Sequence, residues 1–384
     1  MNNNWNIKTL GTVAKYVNGR AFKPSEWEES GLPIIRIQNL TGEKSKYNYS
    51  SMEHEGKYRV QHGDLLFAWS ASLGAHIWKN GDAWLNQHIF HVIPNVDICK
   101  DYLYYFLKSV VADLYSKTHG SGMVHITKSP FMATKIPVPS LFEQQHIVTR
   151  IEELFSDLDK AVETLQMIKQ QLAVYRQAVL KEAFSQTNTL VELSNISKSR
   201  LGKMLDKEKN IGTPRGYLRN INVRWFSFDL SDVKEMGIED SEIDKYSIQK
   251  DDLLICEGGE PGRCAVWEKD DTFYYQKALH SVRFSIETNP RFYMYYIWFV
   301  AQTGKLNPYF TGTGIKHLTK QFLERLPVPK VTKEIQDKIV DEIESRLSVC
   351  NCIEQTVEMS LKLEKALRQS ILKSAFEGRM VKYG

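Results

Sequence analysis

The chain has 384 residues, enough for two or three domains at the usual ~150 residues each, and is 42% apolar and 25% charged. That balance excludes disordered and collagenous classes, and no apolar run approaches the ~20 residues a bilayer span needs. A net charge of +4 does not by itself announce a nucleic-acid binder. Five cysteines without a C-x-x-C argue against a disulfide framework or a zinc site, and with no signal-peptide profile a cytoplasmic protein is expected.

In chain order, short β-branched and aromatic runs at 32–37, 64–69 and 88–93 predict strands, and 101–114 predicts a helix. Between them lie loops rich in amides, small polar residues, His and Trp: 69–74 and 84–88. From Ile147 the apolar positions Ile147, Ile151, Leu154, Leu158, Ala161, Leu165, Ile168, Leu172, Tyr175 and Val179 advance in alternating steps of four and three. This is the 3.5-residue period of a coiled-coil seam, roughly 50 Å long. Pro139 and Glu143 suit the start of that helix. Further strands are predicted at 253–256 and 281–286 and a helix at 290–301. A second long helix carries Ile339, Ile343, Ile353, Val357, Leu367 and Ile371, but has Arg346, Ser360 and Glu364 at equivalent positions.

The second half repeats the first. Gly120-Ser121-Gly122-Met123-Val124-His125-Ile126-Thr127 recurs 192 residues on as Gly312-Thr313-Gly314-Ile315-Lys316-His317-Leu318-Thr319. Ile136-Pro137-Val138-Pro139 is matched by Leu326-Pro327-Val328-Pro329, Gln144-Gln145-His146-Ile147-Val148 by Gln336-Asp337-Lys338-Ile339-Val340, and Gln177–Phe184 by Gln369–Phe376. Weaker echoes link Gly63–Phe67 to Asp251–Ile255 and Arg36–Leu40 to Arg219–Val223. The unit is globular then helical, written twice. The helical portions match well, and the globular portions match only at framework segments, a pattern of one scaffold carrying two different readers. The expected division is a domain at 1–140, a helix at 141–189, a second domain at 190–332 and a second helix at 333–384. Lys and Arg exceed Asp and Glu in the two globular segments, 15 against 11 and 21 against 19, and not in the helical ones. The heptad pattern alone admits parallel or antiparallel pairing of the long helices.

Little points to catalysis within the chain. Phe310-Thr311-Gly312-Thr313-Gly314 fits the F-x-G-x-G of a methyltransferase cofactor loop, but its repeat mate lacks the Phe and both are followed by a Pro-x-Pro rather than by a long helix. Asn307-Pro308-Tyr309-Phe310 misses the second proline of an amino-methyltransferase motif. Asp251/Asp252 and Glu257/Glu260 lack the E-x-K partner of a magnesium nuclease, and no phosphate-binding loop or H-E-x-x-H occurs. No catalytic and no metal-binding residue is assigned.

The whole chain resembles the specificity subunit of type I restriction-modification systems. The resemblance rests on the duplicated unit, Trp5-Asn6-Ile7-Lys8-Thr9-Leu10-Gly11, Gly63-Asp64-Leu65-Leu66-Phe67, the Gly-Ser-Gly loop, and Ile136-Pro137-Val138-Pro139 leading through Glu143-Gln144-Gln145 into a helix. It implies two α/β (α+β) target-recognition domains related by a pseudo-two-fold axis and joined by two long helices in an antiparallel coiled coil. It further implies a non-catalytic subunit that reads a bipartite, asymmetric double-stranded DNA site and docks two modification subunits, with restriction subunits completing the assembly. S-adenosylmethionine, ATP and Mg²⁺ would then belong to the partners, and this chain would carry no cofactor and touch no membrane. Side chains able to address base edges and phosphates mark the expected DNA contacts. In the first half these are Arg36, Gln38, Asn39, Trp69, Ser70, Ser72, Asn86, Gln87, His88, Lys117, His119, Ser121, His125 and Lys128. In the second they are Arg219, Asn220, Asn222, Glu257, Arg263, Gln276, Lys277, Thr311, Thr313, Lys316, His317 and Lys320. A self-contained S-adenosylmethionine-dependent DNA methyltransferase built around Phe310–Gly314 is the alternative, and a coiled-coil scaffold without DNA function a third reading.

Overall fold

Alternation along one strand decides how each globular portion is layered. All four side chains of Leu65–Ala68 are buried. Leu65 and Phe67 join a core with Tyr102, Leu103 and Phe106, whereas Leu66 and Ala68 join another with Ile35, Val60 and Leu85. Because successive side chains point to opposite faces, a Leu-Leu-Phe-Ala strand has to lie between two apolar layers. Leu253–Cys256 repeats the arrangement: Leu253 and Ile255 pack with Phe292 and Ile297, and Leu254 and Cys256 pack with Leu218 and Trp267.

The computed structural model describes residues 5–42, 46–116, 126–185, 187, 189–206 and 210–380. The chain forms two compact units, one of residues 1–165 with 359–384 and one of residues 166–358. In the first, Asn6–Thr9 pairs antiparallel with Lys135–Val138 and brings the two ends of the globular portion together. A four-stranded antiparallel sheet follows in the spatial order Ala14–Asn18, Ile89–Pro94, Leu65–Ala68, Gly74–Ile77. A second sheet runs Asn48–Ser50, Leu32–Ile35, Ala83–Leu85, Arg59–Val60, its central pair parallel. The helix Lys100–Ser116 covers the first sheet.

The second unit has the same plan. Leu190–Glu192 pairs with Pro327–Pro329, and a four-stranded sheet runs Ser197–Leu201, Leu279–Phe284, Leu253–Cys256, Cys264–Val266. A three-stranded sheet runs Lys234–Ile238, Thr213–Leu218, Tyr274–Tyr275, and Pro290–Gln302 is the covering helix. A small hairpin, Val223–Arg224 with Ser227–Phe228, is a feature of this unit. The strands expected at 32–37 and 281–286 are shifted. The first stops at Ile35 because the Arg36 N–H donates to Asn39 Oδ1 at 2.9 Å and turns the chain into the short helix Ile37–Thr41. The second begins at Leu279 and ends at Phe284.

The long helices span Leu141–Ser185 and Lys333–Phe376. Ser140 caps the first: its N–H donates to Glu143 Oε2 at 2.9 Å, and the Glu143 N–H donates back to Ser140 Oγ at 3.3 Å. In the second unit Lys169 pairs with Glu358 (3.1 Å), Arg176 with Glu354 (2.7 Å) and Arg346 with Glu182 (2.7 Å). Numbers rise on one helix as they fall on the other, so the pairing there is antiparallel. In the first unit Arg368 pairs with Asp159 (2.5 Å), and Ile371, Leu372 and Ala375 share a core with Ile147, Ile151 and Phe155.

Of the expected seam, Ile147, Ile151 and Leu172 are buried, and Leu154, Leu158, Leu165 and Ile168 are half-buried; Ala161 and Tyr175 are exposed, with Val162 and Arg176 turned inward in their place. On the second helix Ile343, Val357 and Ile371 are buried and Ile339 is half-buried, but Ile353 and Leu367 are 40% and 48% exposed. The inward set is Ile343, Leu347, Cys350, Glu354, Val357, Leu361, Glu364, Arg368 and Ile371, again in steps of four and three. Ile353 and Leu367 sit one residue, about 100°, off that line. A search for apolar residues passes over this seam because three of its positions carry charge.

Candidate nucleic-acid interface

The loops leaving one end of the first unit's sheets are tied together by backbone hydrogen bonds. The Trp69 N–H donates to the His88 carbonyl (3.0 Å), Ile126 N–H to the Trp69 carbonyl (3.1 Å), Asn86 N–H to the Ile35 carbonyl (3.1 Å) and Gln87 N–H to the Arg20 carbonyl (2.8 Å). Close approach is required at Gly19, where a Cβ would lie 2.1 Å from the Asn86 carbonyl oxygen. Trp69 Nε1–H donates to Asn18 Oδ1 (3.0 Å), and its ring meets His88 edge-on and stacks on Phe90. His88 holds φ +74° and Ala71 φ +57°, backbone states uncommon outside glycine that fix the loop tips. Asn18, Trp69, Phe90, Ile126, Thr127 and Lys128 line a hollow of about 450 Å³.

The second unit builds the same rim from different side chains. Glu257 N–H donates to the Ala278 carbonyl (2.9 Å), Leu318 N–H to the Glu257 carbonyl (2.7 Å), Gln276 N–H to the Leu218 carbonyl (3.1 Å) and Lys277 N–H to the Lys203 carbonyl (2.9 Å). At Gly202 a Cβ would lie 2.3 Å from the Gln276 carbonyl oxygen. Thr311 and His317 exchange backbone hydrogen bonds at 2.8 and 2.9 Å, which leaves Thr313, Ile315 and Lys316 exposed at the tip of a hairpin. Gly312 sits there at φ +94°, where a Cβ would meet the Ile315 carbonyl at 2.3 Å. The glycines of Phe310–Gly314 therefore serve a tight turn and form no strand-to-helix cofactor loop, which removes the structural basis of the methyltransferase alternative. The paired acid Asp252 is fully buried and gripped by Arg283 through two 2.7 Å bonds, a structural ion pair.

The expected contacts divide by exposure and by what they already bond. Gln38, Gln87, Lys128, Lys277, Thr313, Lys316, His317 and Lys320 are exposed, and Asn86, Ser72, Trp69, His88, Gln276 and Thr311 are half-buried on the rim. Arg36 lies over the Trp27 ring at 5.2 Å. Lys117, His119, Ser121 and His125 lie outside the described residues. Several assignments need correction. Asn222 is 2% exposed; its Oδ1 accepts the Arg219 N–H and its Nδ2 donates to the carbonyls of Asp229 and Asp232, so it closes a turn, as Asn39 does by accepting the Arg36 N–H. Ser70 is buried as well. Arg219 is held by Asp232, and Asn220 donates to the Gly258 carbonyl (3.3 Å). Arg263, 14% exposed, donates through Nη1 to Glu260 (2.7 Å) and through Nη2 to the Asn220 carbonyl (2.9 Å), while Glu260 accepts from Trp225 Nε1 (2.9 Å). Arg263 braces the loop rather than projecting from it.

Sequence reading missed the pair Gly19-Arg20 and Gly202-Lys203. Each cation follows its close-approach glycine, bridges to Asn86 or Gln276, and is clamped by an acid, Arg20 by Glu26 (2.5 Å) and Lys203 by Glu242. Their spacing is 183 residues rather than 192, so a search at the main repeat period passes them by.

Comparison with known proteins bears on this double rim. The family described as type I restriction modification DNA specificity domain matches residues 2–172 and again 188–363. The chain is similar to the type I restriction enzyme EcoBI specificity subunit of Escherichia coli, 27% identical over 99% of this chain and 87% of that one. It is similar also to the StySPI specificity subunit of Salmonella potsdam, 22% identical over 98% and 89%. Among solved structures it shares its fold with the HsdS subunit from Thermoanaerobacter tengcongensis (TM-score 0.66, 16% identity, 99% and 98% covered). It does so too with a chain from a study of complex assembly and conformational transition in the type I R-M system (TM-score 0.75, 16% identity, 98% of each covered).

Proposed function

Because the chain belongs to the type I restriction-modification DNA specificity family, we propose that its two rims are the reading faces of two target-recognition domains, each addressing one half of a bipartite, asymmetric double-stranded DNA site. The chain is the DNA-recognition subunit of such an enzyme and not its catalyst. The observation that carries the reading is the duplicated rim: one set of backbone hydrogen bonds presents Trp69, Asn86, Gln87 and His88 in one unit and Glu257, Gln276, Lys277 and His317 in the other. A framework kept twice with its exposed chemistry changed is what two different half-sites require. Lys128, Lys316 and Lys320 supply positive charge beside each rim for phosphates.

The long helices join the units and carry apolar side chains on their outer faces. Met167 and Met359, 192 residues apart, are 56% and 64% exposed, and Tyr175 and Leu367, also 192 apart, are 46% and 48% exposed. Apolar side chains left exposed at matching positions mark surfaces for partners. Two copies suit two modification subunits, which would carry S-adenosylmethionine, with ATP and Mg²⁺ used by restriction subunits of the larger assembly. The same reading puts the protein in the cytoplasm with its DNA; no helix among the described residues is long and apolar enough to cross a membrane.

Exchange of residues 1–140 for those of a relative tests the reading. In cells carrying the chimera and the modification subunit, methylation mapping is expected to show one half-site replaced and the other retained. An unchanged methylation pattern would remove the first unit from recognition, as the scaffold reading requires.

A further inference from the structure

Trp69 and Glu257 occupy the same place in the repeated framework. The N–H of each donates to the carbonyl of His88 or Ala278 (3.0 and 2.9 Å), and the carbonyl of each accepts from Ile126 or Leu318 (3.1 and 2.7 Å). Thr127-Lys128 follows one rim and Thr319-Lys320 the other. Only the side-chain chemistry differs.

The indole N–H of Trp69 is engaged by Asn18, so the Trp69 ring, Phe90 stacked at 5.8 Å and Ile126 give the 450 Å³ hollow an apolar wall, while Asn18, Thr127 and Lys128 complete the lining. Glu257 is half-buried, and among the described residues its carboxylate receives no hydrogen bond. Burial pushes its carboxyl above the usual range, against the opposing charges of His317 and Lys277. An acceptor without a donor, in the middle of loops that meet DNA, is suited to a donor supplied by DNA. In the major groove the donors are the exocyclic amino groups of cytosine and adenine. Adenine sets its N7 acceptor beside that amino group, which suits an amide and repels a carboxylate, whereas cytosine offers the amino group alone. The one methyl group of the major groove is that of thymine, and an aromatic, apolar wall suits it.

Resting on the reading of the rims as DNA-reading faces, we propose that Trp69 and Glu257 are matched specificity-determining residues: Glu257 accepts a hydrogen bond from the N4 amino group of a cytosine in one half-site, and the Trp69 hollow receives a thymine methyl in the other.

The test uses the full chain assembled with its modification subunit and a DNA library randomised across the site, with bound molecules sequenced and the two half-sites assigned by the 1–140 exchange. The wild type is expected to select two short blocks, with a cytosine in the block read by the second unit. Glu257→Gln is expected to lose preference at that one position by roughly five- to hundredfold, leaving the other block unchanged. Uracil in place of thymine, read with the wild-type protein, is expected to weaken binding several-fold at one position of the first unit's block. Two blocks with no cytosine in the second unit's half-site, an unaltered Glu257→Gln profile, or indifference to uracil at every position would overturn the assignment while leaving DNA reading intact. Selection of no sequence by the wild-type complex would instead overturn the reading on which it rests.

Discussion

His280 is buried in the second unit where Phe90 stands in the first, and its Nε2 lies 2.8 Å from the Leu318 carbonyl as donor. Burial lowers its pKa to about 4. The unfolded chain takes up the proton near 6.5, before the folded one does, so stability falls as pH drops from about 6.5 towards 4, by about 2 kcal/mol at pH 5. His280→Phe, which copies the residue of the first unit, is expected to flatten this acid sensitivity, although it gives up the bond to Leu318. Urea unfolding at pH 7.5 and pH 5 measures the difference, and an identical loss in both proteins would rule His280 out as its source. At this scale residue type was a poor guide to role. The amide that reads adenine also closes a turn, as Asn39 and Asn222 do, and the guanidinium that reads guanine also braces a loop, as Arg263 does. Only burial and partners separate the two uses.

Each long helix is anchored at its first turns by a buried glutamine. Gln144 accepts the Cys99 N–H at 2.8 Å and donates to the carbonyls of Asp97 and Pro139. Gln336 accepts the Asn289 N–H at 2.8 Å and donates to the Val331 carbonyl. Their 192-residue spacing was legible in the repeat, but the reason for it was not, since their partners lie up to 47 residues away in the chain. Gln144→Leu is expected to strand one buried N–H and two carbonyls and to cost about 2–4 kcal/mol, read as a lower midpoint in urea. The helices themselves were legible because period 3.5 is a local pattern. Which face of the second one turns inward was misjudged at Ile353 and Leu367, because the seam passes through Glu354 and Arg368, whose charges are met by Arg176 and Asp159.

For the whole molecule, a net charge of +4 with the excess confined to the globular segments is small for a chain that binds DNA on its own. If the partners supply much of the phosphate neutralisation, the isolated chain is expected to bind its site weakly with a shallow dependence of log K on log salt, and the complex with modification subunits to show a steeper one. Equal slopes in a titration between 50 and 200 mM salt, roughly the range over which such contacts respond, would contradict this. By itself the sequence determined the duplication, the alternation of globular and helical segments and the family, because each is written in order or in local periodicity. Tertiary structure alone decided the antiparallel register of the helices, the shared position of Trp69 and Glu257, and which polar side chains are consumed in holding the loops. Those depend on contacts between residues far apart in the chain, where a hydrogen bond made inside the protein is one that cannot be offered to DNA.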